Sequence, residues 1–317
     1  MRWLIIDGLN LFIRNFVVMP TMDRDGNPTG GLVGFVRSLK NLMGDNAPER
    51  VVVCWDGEGG SRRRRGIFSE YKQGRKVRVN RAYDNETPND QADNFGDQVR
   101  KLKRILKSLG VIQVECDEVE ADDVVAYLTG YVLPPDDEKV VVSSDRDLLQ
   151  LVGPKVLVYS PSKKVYWTTT EVKEKTGVLP ENYVFVKALM GDSSDNIPGV
   201  GGIGEKTAIK LFPFLADRAS TLDEILQHAE TNQGTSAKYK GVLASKDRLA
   251  ENVKLMQLSS PTISAQAARN VRERAFETPS FSSTELRLDI TRMGLEGLDA
   301  DLFGQLSAYR RRVENNA

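Results

Sequence analysis

Short strand-like runs alternate with helical patterns along the first half of the chain, and this feature restricts the fold most. Apolar residues recur at helical spacing over residues 32–43 and 95–109, and Gly110 follows the second pattern as a C-cap. Such alternation is typical of a largely parallel sheet with helices on both faces, so we predict an α/β fold. The predicted strands are residues 3–6, 51–55, 111–114, 140–142 and 156–159, with residues 163–167 as a hairpin partner of the last.

Beyond about residue 170 the strand patterns fade and short helical patterns dominate. We therefore predict an α/β domain over residues 1–170 and a helical region over residues 171–317, ending in an amphipathic helix at residues 301–313. No run of about 18 apolar residues occurs, which argues against a membrane span. The N-terminus lacks the long apolar stretch of a signal peptide, so we expect a cytoplasmic protein.

The scarcity of cysteine and histidine excludes several kinds of site. Cys54 and Cys116 lie in apolar strand-like runs and are interpreted as buried free thiols, which excludes a disulfide scaffold. His228 is the single histidine and falls in a helical pattern. A histidine-rich metal site is therefore impossible, and a Ser-His-Asp triad is not expected.

Acidic residues follow three of the predicted strands. One such Asp is a common N-cap, but in open α/β sheets the carboxyl ends of the strands form the ligand crevice. Two further acidic groups occur at residues 120–123 and 192–195. Together these positions give the candidate metal ligands Asp7, Asp56, Glu120, Asp122, Asp123, Asp145, Asp147, Asp192 and Asp195.

Converging carboxylates repel one another unless cations neutralise them. Oxygen ligands without His or Cys partners favour Mg²⁺ or Mn²⁺ over Zn²⁺. Two Mg²⁺ ions about 3.5–4 Å apart support in-line phosphodiester hydrolysis, because one activates the attacking water and both stabilise charge on the phosphate. If the carboxylates converge, the sequence predicts a two-metal centre of this kind.

The net charge of zero conceals a segregation of charge. The chain has 44 Lys and Arg against 44 Asp and Glu, yet residues 61–81 carry nine basic residues and one acidic residue. Residues 115–147 carry eleven acidic residues and two basic ones. Glycines and aromatic residues are interleaved with the basic residues over 57–80, which favours a mobile element that faces the substrate. The acidic segment would gather metal ions, and the basic segment would draw phosphates toward those ions.

A glycine-rich turn in the second half is predicted to bind a phosphate backbone. Residues 197–211 are interpreted as helix, tight turn and helix, with a glycine on each side of Ile203. Glycines let the backbone approach a phosphate, and the N–H groups of residues 204–207 would open the next helix. Such contacts hold DNA without reading base sequence. The predicted contacts are Gly202, Gly204, Lys206, Thr207 and Lys210.

Taken together, these motifs resemble the 5′-nuclease family of flap endonucleases, phage 5′–3′ exonucleases and the 5′-nuclease domain of bacterial DNA polymerase I. The resemblance covers about residues 3–212 in family order and is faint past residue 215. It implies a PIN-like sheet, a basic helical arch at about residues 57–90, and a helix-hairpin-helix-like (H3TH) DNA-binding motif. The matching stretches are Ile6-Asp7-Gly8 with Asn10, Trp55-Asp56-Gly57, Tyr71-Lys72 with Arg75, Glu120-Ala121-Asp122-Asp123, Ser144-Asp145-Arg146-Asp147-Leu148, and residues 191–208.

The resemblance also implies how the carboxylates divide between two metal ions. Those around the first ion are Asp7, Asp56, Glu120 and Asp122. Those around the second are Asp145, Asp147, Asp192 and Asp195, with Asp123 bordering both.

Further roles follow from the same resemblance. Lys72 and Arg75 resemble the arch pair that contacts the scissile phosphate, and Lys187 resembles another active-site lysine. Tyr71 would stack near the terminal bases. The carbonyls of Val200 and Ile203 would hold K⁺ at the turn. The remaining substrate contacts, at the arch entrance, would be Arg62, Arg63, Arg64 and Arg65.

We therefore predict a monomeric, Mg²⁺-dependent, structure-specific 5′ nuclease of DNA replication and repair. It would cut flaps and nicked duplexes, and RNA–DNA primer hybrids are compatible with this function. One alternative is a module that binds branched DNA without cutting it, which predicts broken carboxylate positions. A second is a PIN-like ribonuclease, a fold that usually lacks the helical DNA-gripping region. A third is another carboxylate–metal enzyme, which would need neither the turn nor the basic segment.

Overall fold

Strands from the first half of the chain form one mixed sheet. The computed structural model describes residues 1–74, 87–295 and 300–315. The strands of this sheet are β1 Arg2–Asp7, β2 Arg50–Asp56, β3 Ile112–Cys116, β4 Glu138–Val142, β5 Val156–Ser160 and β6 Val165–Trp167. Within the described residues their order is β3-β2-β1-β4-β5-β6; β1 to β5 run parallel, and β6 pairs antiparallel with β5. The predicted α/β fold and its hairpin partner are confirmed.

Alternate residues of the inner strands pack on opposite faces of the sheet. On β1, Leu4 and Ile6 belong to one hydrophobic core, and Trp3 and Ile5 belong to the other. All four side chains are fully buried. Burial on both faces explains why the strands are nearly continuous apolar runs rather than alternating ones.

Local sequence signals set the limits of the longer helices. The fourth helix begins at a capping box in which Thr87 and Asp90 exchange hydrogen bonds, with Pro88 at its first position. It ends at Ser108, and Gly110 then adopts a left-handed φ of 69°, as the C-cap prediction requires. The helices of the first half are α1 Gly8–Phe16, α2 Gly30–Asn46, α3 Arg62–Ile67, α4 Pro88–Ser108 and α5 Ala121–Tyr127.

The second half is mainly helical and contacts both faces of the sheet. Its helices are α6 Thr169–Thr176, α7 Tyr183–Met190, α8 Glu205–Leu211, α9 Leu222–Asn232, α10 Ala237–Ala244, α11 Lys246–Met256, α12 Ala265–Ala275, α13 Ser283–Arg292 and α14 Ala300–Asn315. Helices α7–α12 share the core that contains Trp3, whereas α13 and α14 pack with α2 and α4 on the other face. The predicted terminal helix is confirmed. The division at residue 170 stays a prediction, because the sheet and the helical region share a core.

The segment before the glycine-rich turn differs from the prediction of a helix. Helix α7 ends at Met190, and the next residues form a short antiparallel hairpin of β7 Gly191–Asp192 and β8 Ile197–Pro198. A Cβ on Gly191 would lie 2.4 Å from the backbone nitrogen of Gly199, so only glycines permit this close approach. In the described residues, no helix is long and apolar enough to span a bilayer.

Candidate metal centre

The sheet topology brings several predicted carboxylates to one edge. Strands β2, β1 and β4 are parallel neighbours, so their carboxyl ends lie side by side. Asp56 and Asp7 end the first two strands, Asp145 follows the third, and α5 begins beside them. A cavity of about 830 Å³ opens there. Its acidic lining is Asp7, Asp56, Glu120, Asp122 and Asp145, and Arg65 and Lys72 also line it.

Hydrogen bonds hold two of these carboxylates at the cavity. Asp7 accepts the backbone N–H of Asn10 at 3.1 Å on one oxygen and the hydroxyl of Ser143 at 3.0 Å on the other. Asp56 Oδ1 accepts the backbone N–H of Ala121 at 2.9 Å, which joins β2 to the start of α5. Each carboxylate oxygen has a second lone pair, so these bonds orient the groups and leave capacity for a ligand.

The remaining predicted ligands lie beside Asp145. Asp122 and Asp145 also line a second, smaller cavity together with Asp147 and Asp195. Lys187 Nζ donates to Asp192 Oδ2 and lies 2.8 Å from Asp147 Oδ1. Seven of the nine predicted ligands therefore line the two cavities, whereas Asp192 is joined to Asp147 through Lys187 and Asp123 is joined to Glu120 through Arg64.

The electrostatics of this region match a site that binds cations. Burial, with the nearby charges of Asp56 and Asp145, raises the pKa of Asp7 from 3.8 to about 7. Burial and Asp145 likewise raise the pKa of Asp147 to about 7, although Lys187 opposes the shift. Burial, Asp145 and Asp7 raise the pKa of Asp122 well above its ordinary value. These carboxylates therefore favour protons, or other cations, at neutral pH.

The donor set fits hard divalent cations. Among the described residues that line the two cavities, the charged donors are carboxylates and neither histidine nor cysteine occurs, which suits Mg²⁺ or Mn²⁺. Across residues 1–74, 87–295 and 300–315, no three His, Cys, Asp or Glu side chains already stand close enough together to hold a metal ion. The carboxylates thus share cavities without surrounding a single point.

The raised pKa values predict how stability depends on pH and on divalent cations. Asp7 and Asp147 bind protons more tightly when folded, so their stabilising effect is complete below the ordinary pKa of 3.8 and is lost as pH rises through about 7. In EDTA, the thermal unfolding midpoint should therefore fall between about pH 5 and about pH 8. Mg²⁺ should reverse most of this fall at the higher pH, because it replaces the lost protons. A midpoint that stays constant or rises over this range in EDTA would contradict the prediction.

The structure places Arg64 and Asp123 differently from what their predicted roles, substrate contact and metal ligand, require. Arg64 is only 4% exposed; it donates to both oxygens of Asp123, at 2.6 and 3.2 Å, and also to Glu120. Its Nε donates to the carbonyl of Leu255 at 2.8 Å. A guanidinium buried with these partners is not presented to a substrate. Asp123 does not line either cavity described above, because its carboxylate is directed to Arg64.

Tyr71 is also placed differently from the prediction that it stacks on terminal bases. Its side chain is buried, and its hydroxyl donates to Glu120 Oε2 at 3.1 Å. Burial raises the pKa of this hydroxyl above its ordinary value, so it remains a donor. With its ring in the hydrophobic core, Tyr71 orients Glu120 instead of offering a face to a base.

The predicted active-site lysines lie at the carboxylates. Lys72 Nζ donates to Glu120 Oε1 at 2.9 Å. Burial would lower the pKa of Lys72, but Glu120 outweighs it and holds the pKa above its ordinary value. Lys187, on α7, bridges Asp147 and Asp192. Burial would lower the pKa of Lys187, but the two carboxylates outweigh it and hold the pKa above its ordinary value. Arg75, the predicted partner of Lys72, lies outside the described residues.

The other arginines of α3 remain available to solvent to different degrees. Arg62 is 72% exposed and pairs with Glu118. Arg63 is partly exposed and lies 3.7 Å from Asp123. Arg65 lines the larger cavity. The four consecutive arginines therefore divide into three at or near the surface and one in the interior.

The glycine-rich turn presents its predicted contacts at the surface. Gly202, Gly204, Lys206 and Lys210 are exposed, Thr207 is half-buried, and Gly202 has a left-handed φ of 71°. The carbonyl of Val200 accepts the backbone N–H of Ile203 at 3.1 Å, which closes the turn. The placement of Val200 and Ile203 as K⁺ ligands stays a prediction.

Several residues that orient the acidic groups are not among the predicted site residues, although most of them lie in the motifs. Ser143 bridges Asp7 and the backbone of Asp145, and Asn10 accepts the N–H of Ser144 at 2.9 Å. Asn196 donates to the carbonyls of Glu70 and Gln73, which fastens the basic segment to the loop after β7. The serines and Asn10 stand beside the acidic motifs in the sequence, and this proximity was the available signal.

Two family profiles match adjacent parts of the chain. The first is described as 5′-3′ exonuclease, N-terminal resolvase-like domain, and matches residues 2–177; the second is described as 5′-3′ exonuclease, C-terminal SAM fold, and matches residues 178–275. A 5′-3′ exonuclease of Aquifex aeolicus is 32% identical over 255 residues, which are 80% of each chain. DNA polymerase I of Bacillus subtilis is 34% identical over 232 residues, or 71% of this chain and 25% of the polymerase. The chain thus spans about a quarter of the length of the polymerases it matches.

A solved structure shows the same fold over nearly the whole chain. The bacteriophage T5 flap endonuclease, in a pseudo-enzyme-product complex with DNA and metal ions, superposes with a TM-score of 0.66. The match covers 98% of this chain and 100% of that one, at 22% sequence identity. The structural likeness therefore continues past residue 275, where the second profile ends.

Proposed function

The chain belongs to the 5′-3′ exonuclease family, and we propose that it is a structure-specific 5′ nuclease that hydrolyses DNA phosphodiester bonds near 5′ ends and junctions. The observation that carries this proposal is a cavity with five carboxylates on its wall and two basic side chains, Arg65 and Lys72, beside them. Carboxylates can gather cations, and basic side chains can draw a phosphate to the same place. Roles in DNA replication and repair follow from the family.

The carboxylates would hold divalent cations, and their oxygen donors favour Mg²⁺. When bound, such cations supply an activated water and stabilise the charge that develops on the scissile phosphate. The groups that would hold them are Asp7, Asp56, Glu120, Asp122, Asp145, Asp147, Asp192 and Asp195. Asp123 would act indirectly, through the Arg64 that also holds Glu120.

Lys72 and Lys187 have separate tasks in this proposal. Lys72 stays protonated beside Glu120 at the cavity, so its ammonium can stabilise transition-state charge on the phosphate. Lys187, which is on α7, keeps Asp147 and Asp192 in position through its two ion pairs. Arg75 would join Lys72 at the phosphate.

DNA would be held on two elements. The exposed turn and the first residues of α8 would grip the duplex backbone through Gly202, Gly204, Lys206, Thr207 and Lys210. K⁺ on the carbonyls of Val200 and Ile203 would support that grip. The basic segment, with the accessible Arg62, Arg63 and Arg65, would capture the 5′ strand. We expect a monomer that accepts flaps and nicked duplexes, and RNA–DNA primer hybrids as well.

A cleavage assay tests the function directly. The protein is incubated with 5′-labelled flap DNA, nicked duplex, single-stranded DNA and a matched RNA strand, in Mg²⁺ or in EDTA. We expect cleavage of the flap near its junction in Mg²⁺ and none in EDTA, because the carboxylates need cations to act. Flap binding without cleavage in Mg²⁺ or Mn²⁺ would support a non-cleaving module. Cleavage of RNA in preference to DNA would support a ribonuclease.

A further inference from the structure

An ion pair joins the metal-binding loop to the glycine-rich turn. Arg146 Nη2 lies 2.6 Å from Glu205 Oε1, and Arg146 Nη1 lies 3.4 Å from the other oxygen of the same carboxylate. The guanidinium stands 5.2 Å from the ring centre of Tyr183, whose hydroxyl is 3.5 Å from Glu205. The ring covers one face of the Arg146 guanidinium. The Arg146 and Glu205 side chains are 36% and 29% exposed, so the pair is only partly open to solvent. Contacts with the first residues of two helices, Tyr183 of α7 and Glu205 of α8, thus hold the arginine in one orientation.

The two ends of this pair belong to the two places where a DNA backbone would bind. Arg146 stands between Asp145 and Asp147, so it is part of the loop that would hold cations at the scissile phosphate. Glu205 is the first residue of α8 and stands between Gly204 and Lys206 of the turn. A rigid link between these positions fixes the distance from the duplex contact to the reacting bond.

The charge of Glu205 supports a role beyond surface pairing. An acidic residue in the first turn of a helix is favourable for the helix dipole, which is sufficient to explain its presence. Beside a turn that receives a phosphate, however, an uncompensated carboxylate repels the ligand. Arg146 compensates the charge of that carboxylate, and the Tyr183 hydroxyl contacts the same group at 3.5 Å. The same contact therefore serves the turn and the metal-binding loop.

We propose that Arg146 and Glu205 are positioning residues that determine where the strand is cut relative to the duplex held by the turn. This inference rests on the proposed nuclease function. Neither residue contacts the reacting atoms; both act by keeping the cavity and the turn in register. Loss of the pair should leave each site formed and let the distance between them vary.

The test is the distribution of product lengths from a flap substrate with one junction. Arg146→Met should produce additional cuts one or more nucleotides from the wild-type position and lower kcat about tenfold, since small misplacements of a substrate are costly. Its affinity for the same flap in Ca²⁺ should fall less than about fivefold, because the carboxylate left without Arg146 repels the phosphate only through solvent at the partly exposed turn. The exchanged pair Arg146→Glu with Glu205→Arg should restore a single main product.

A matched control comes from another ion pair in the helical region. Arg218 Nη1 lies 2.6 Å from Glu224 Oε1, and its guanidinium stands 5.4 Å from the ring centre of Phe214. Arg218→Met removes the same kinds of contact away from the cavity and should keep the wild-type product. If Arg146→Met does not fold, as judged by circular dichroism, Glu205→Gln is measured instead.

The outcomes separate this inference from the proposed function. If the wild-type protein cuts no DNA, both are wrong. If the wild-type protein cuts and Arg146→Met or Glu205→Gln gives the same single product at the same kcat, only the positioning role is wrong. If Arg218→Met broadens the distribution of product lengths as much as Arg146→Met does, the effect is a general loss of rigidity and the inference is overturned.

Discussion

Asp145→Asn is expected to abolish cleavage and, at the same time, to stabilise the protein in the absence of divalent cations. Asp145 lines both cavities, and its charge is among the causes that raise the pKa of Asp7, Asp122 and Asp147. Its replacement removes a negative charge from a position that lines both cavities. A cation held by one carboxylate fewer should support turnover at least about a thousandfold lower.

The local structure should survive this substitution. Asp145 Oδ1 accepts the backbone N–H of Asp147 at 2.9 Å, and the amide oxygen of asparagine can accept the same bond. At about pH 8 in EDTA, relief of repulsion should raise stability by about 1–2 kcal/mol. Mg²⁺ should then stabilise the variant less than it stabilises the wild-type protein.

Three measurements check the prediction for Asp145→Asn: flap cleavage in Mg²⁺, flap binding in Ca²⁺, and urea unfolding in EDTA. Flap affinity should stay within about threefold, because the turn and the basic segment are intact. Asp136→Asn is the matched control, since Asp136 is an exposed acidic residue in the loop before β4. Turnover at the wild-type rate in Asp145→Asn would exclude Asp145 from the metal centre, and a less stable variant would contradict the repulsion argument.

The sheet and most of the acidic cavity could be predicted from the sequence because their signals are local. The apolar runs that predict β1, β2 and β4 end directly before acidic residues, and parallel order alone brings those ends together. The limits of α4 are equally local, since Thr87, Pro88 and Gly110 act within one helical turn of each end. Such features need no knowledge of distant contacts.

The misplaced residues depend on contacts between distant parts of the chain. Four consecutive arginines are indistinguishable in the sequence, yet Arg64 meets Glu120 and Asp123 from 56 and 59 residues away and Leu255 from 191 residues away. Helix α14 returns to β2, where Tyr309 accepts the backbone N–H of Val51 across 258 residues. Neither spacing nor composition specifies such pairings, so burial in the folded protein was the deciding information.

Arg64→Met is expected to cause the largest loss of stability of the substitutions considered. The Arg64 and Asp123 side chains are 4% and 3% exposed, and Glu120 is 5% exposed beside them. Methionine fills much of the volume but leaves Asp123 and Glu120 without their shared cation. Removal of one partner from a buried ion pair costs about 3–5 kcal/mol, because the remaining charge stays out of water.

Urea unfolding in EDTA measures this loss without a contribution from bound cations. Arg62→Met is the matched control, since Arg62 lies in the same helix but is 72% exposed in its pair with Glu118, and it should cost less than about 1 kcal/mol. Asp123→Asn added to Arg64→Met should recover part of the loss, because it removes one stranded charge. If Arg64→Met is no less stable than Arg62→Met, the network does not hold α3 against α5, and Arg64 returns to the group of candidate substrate contacts.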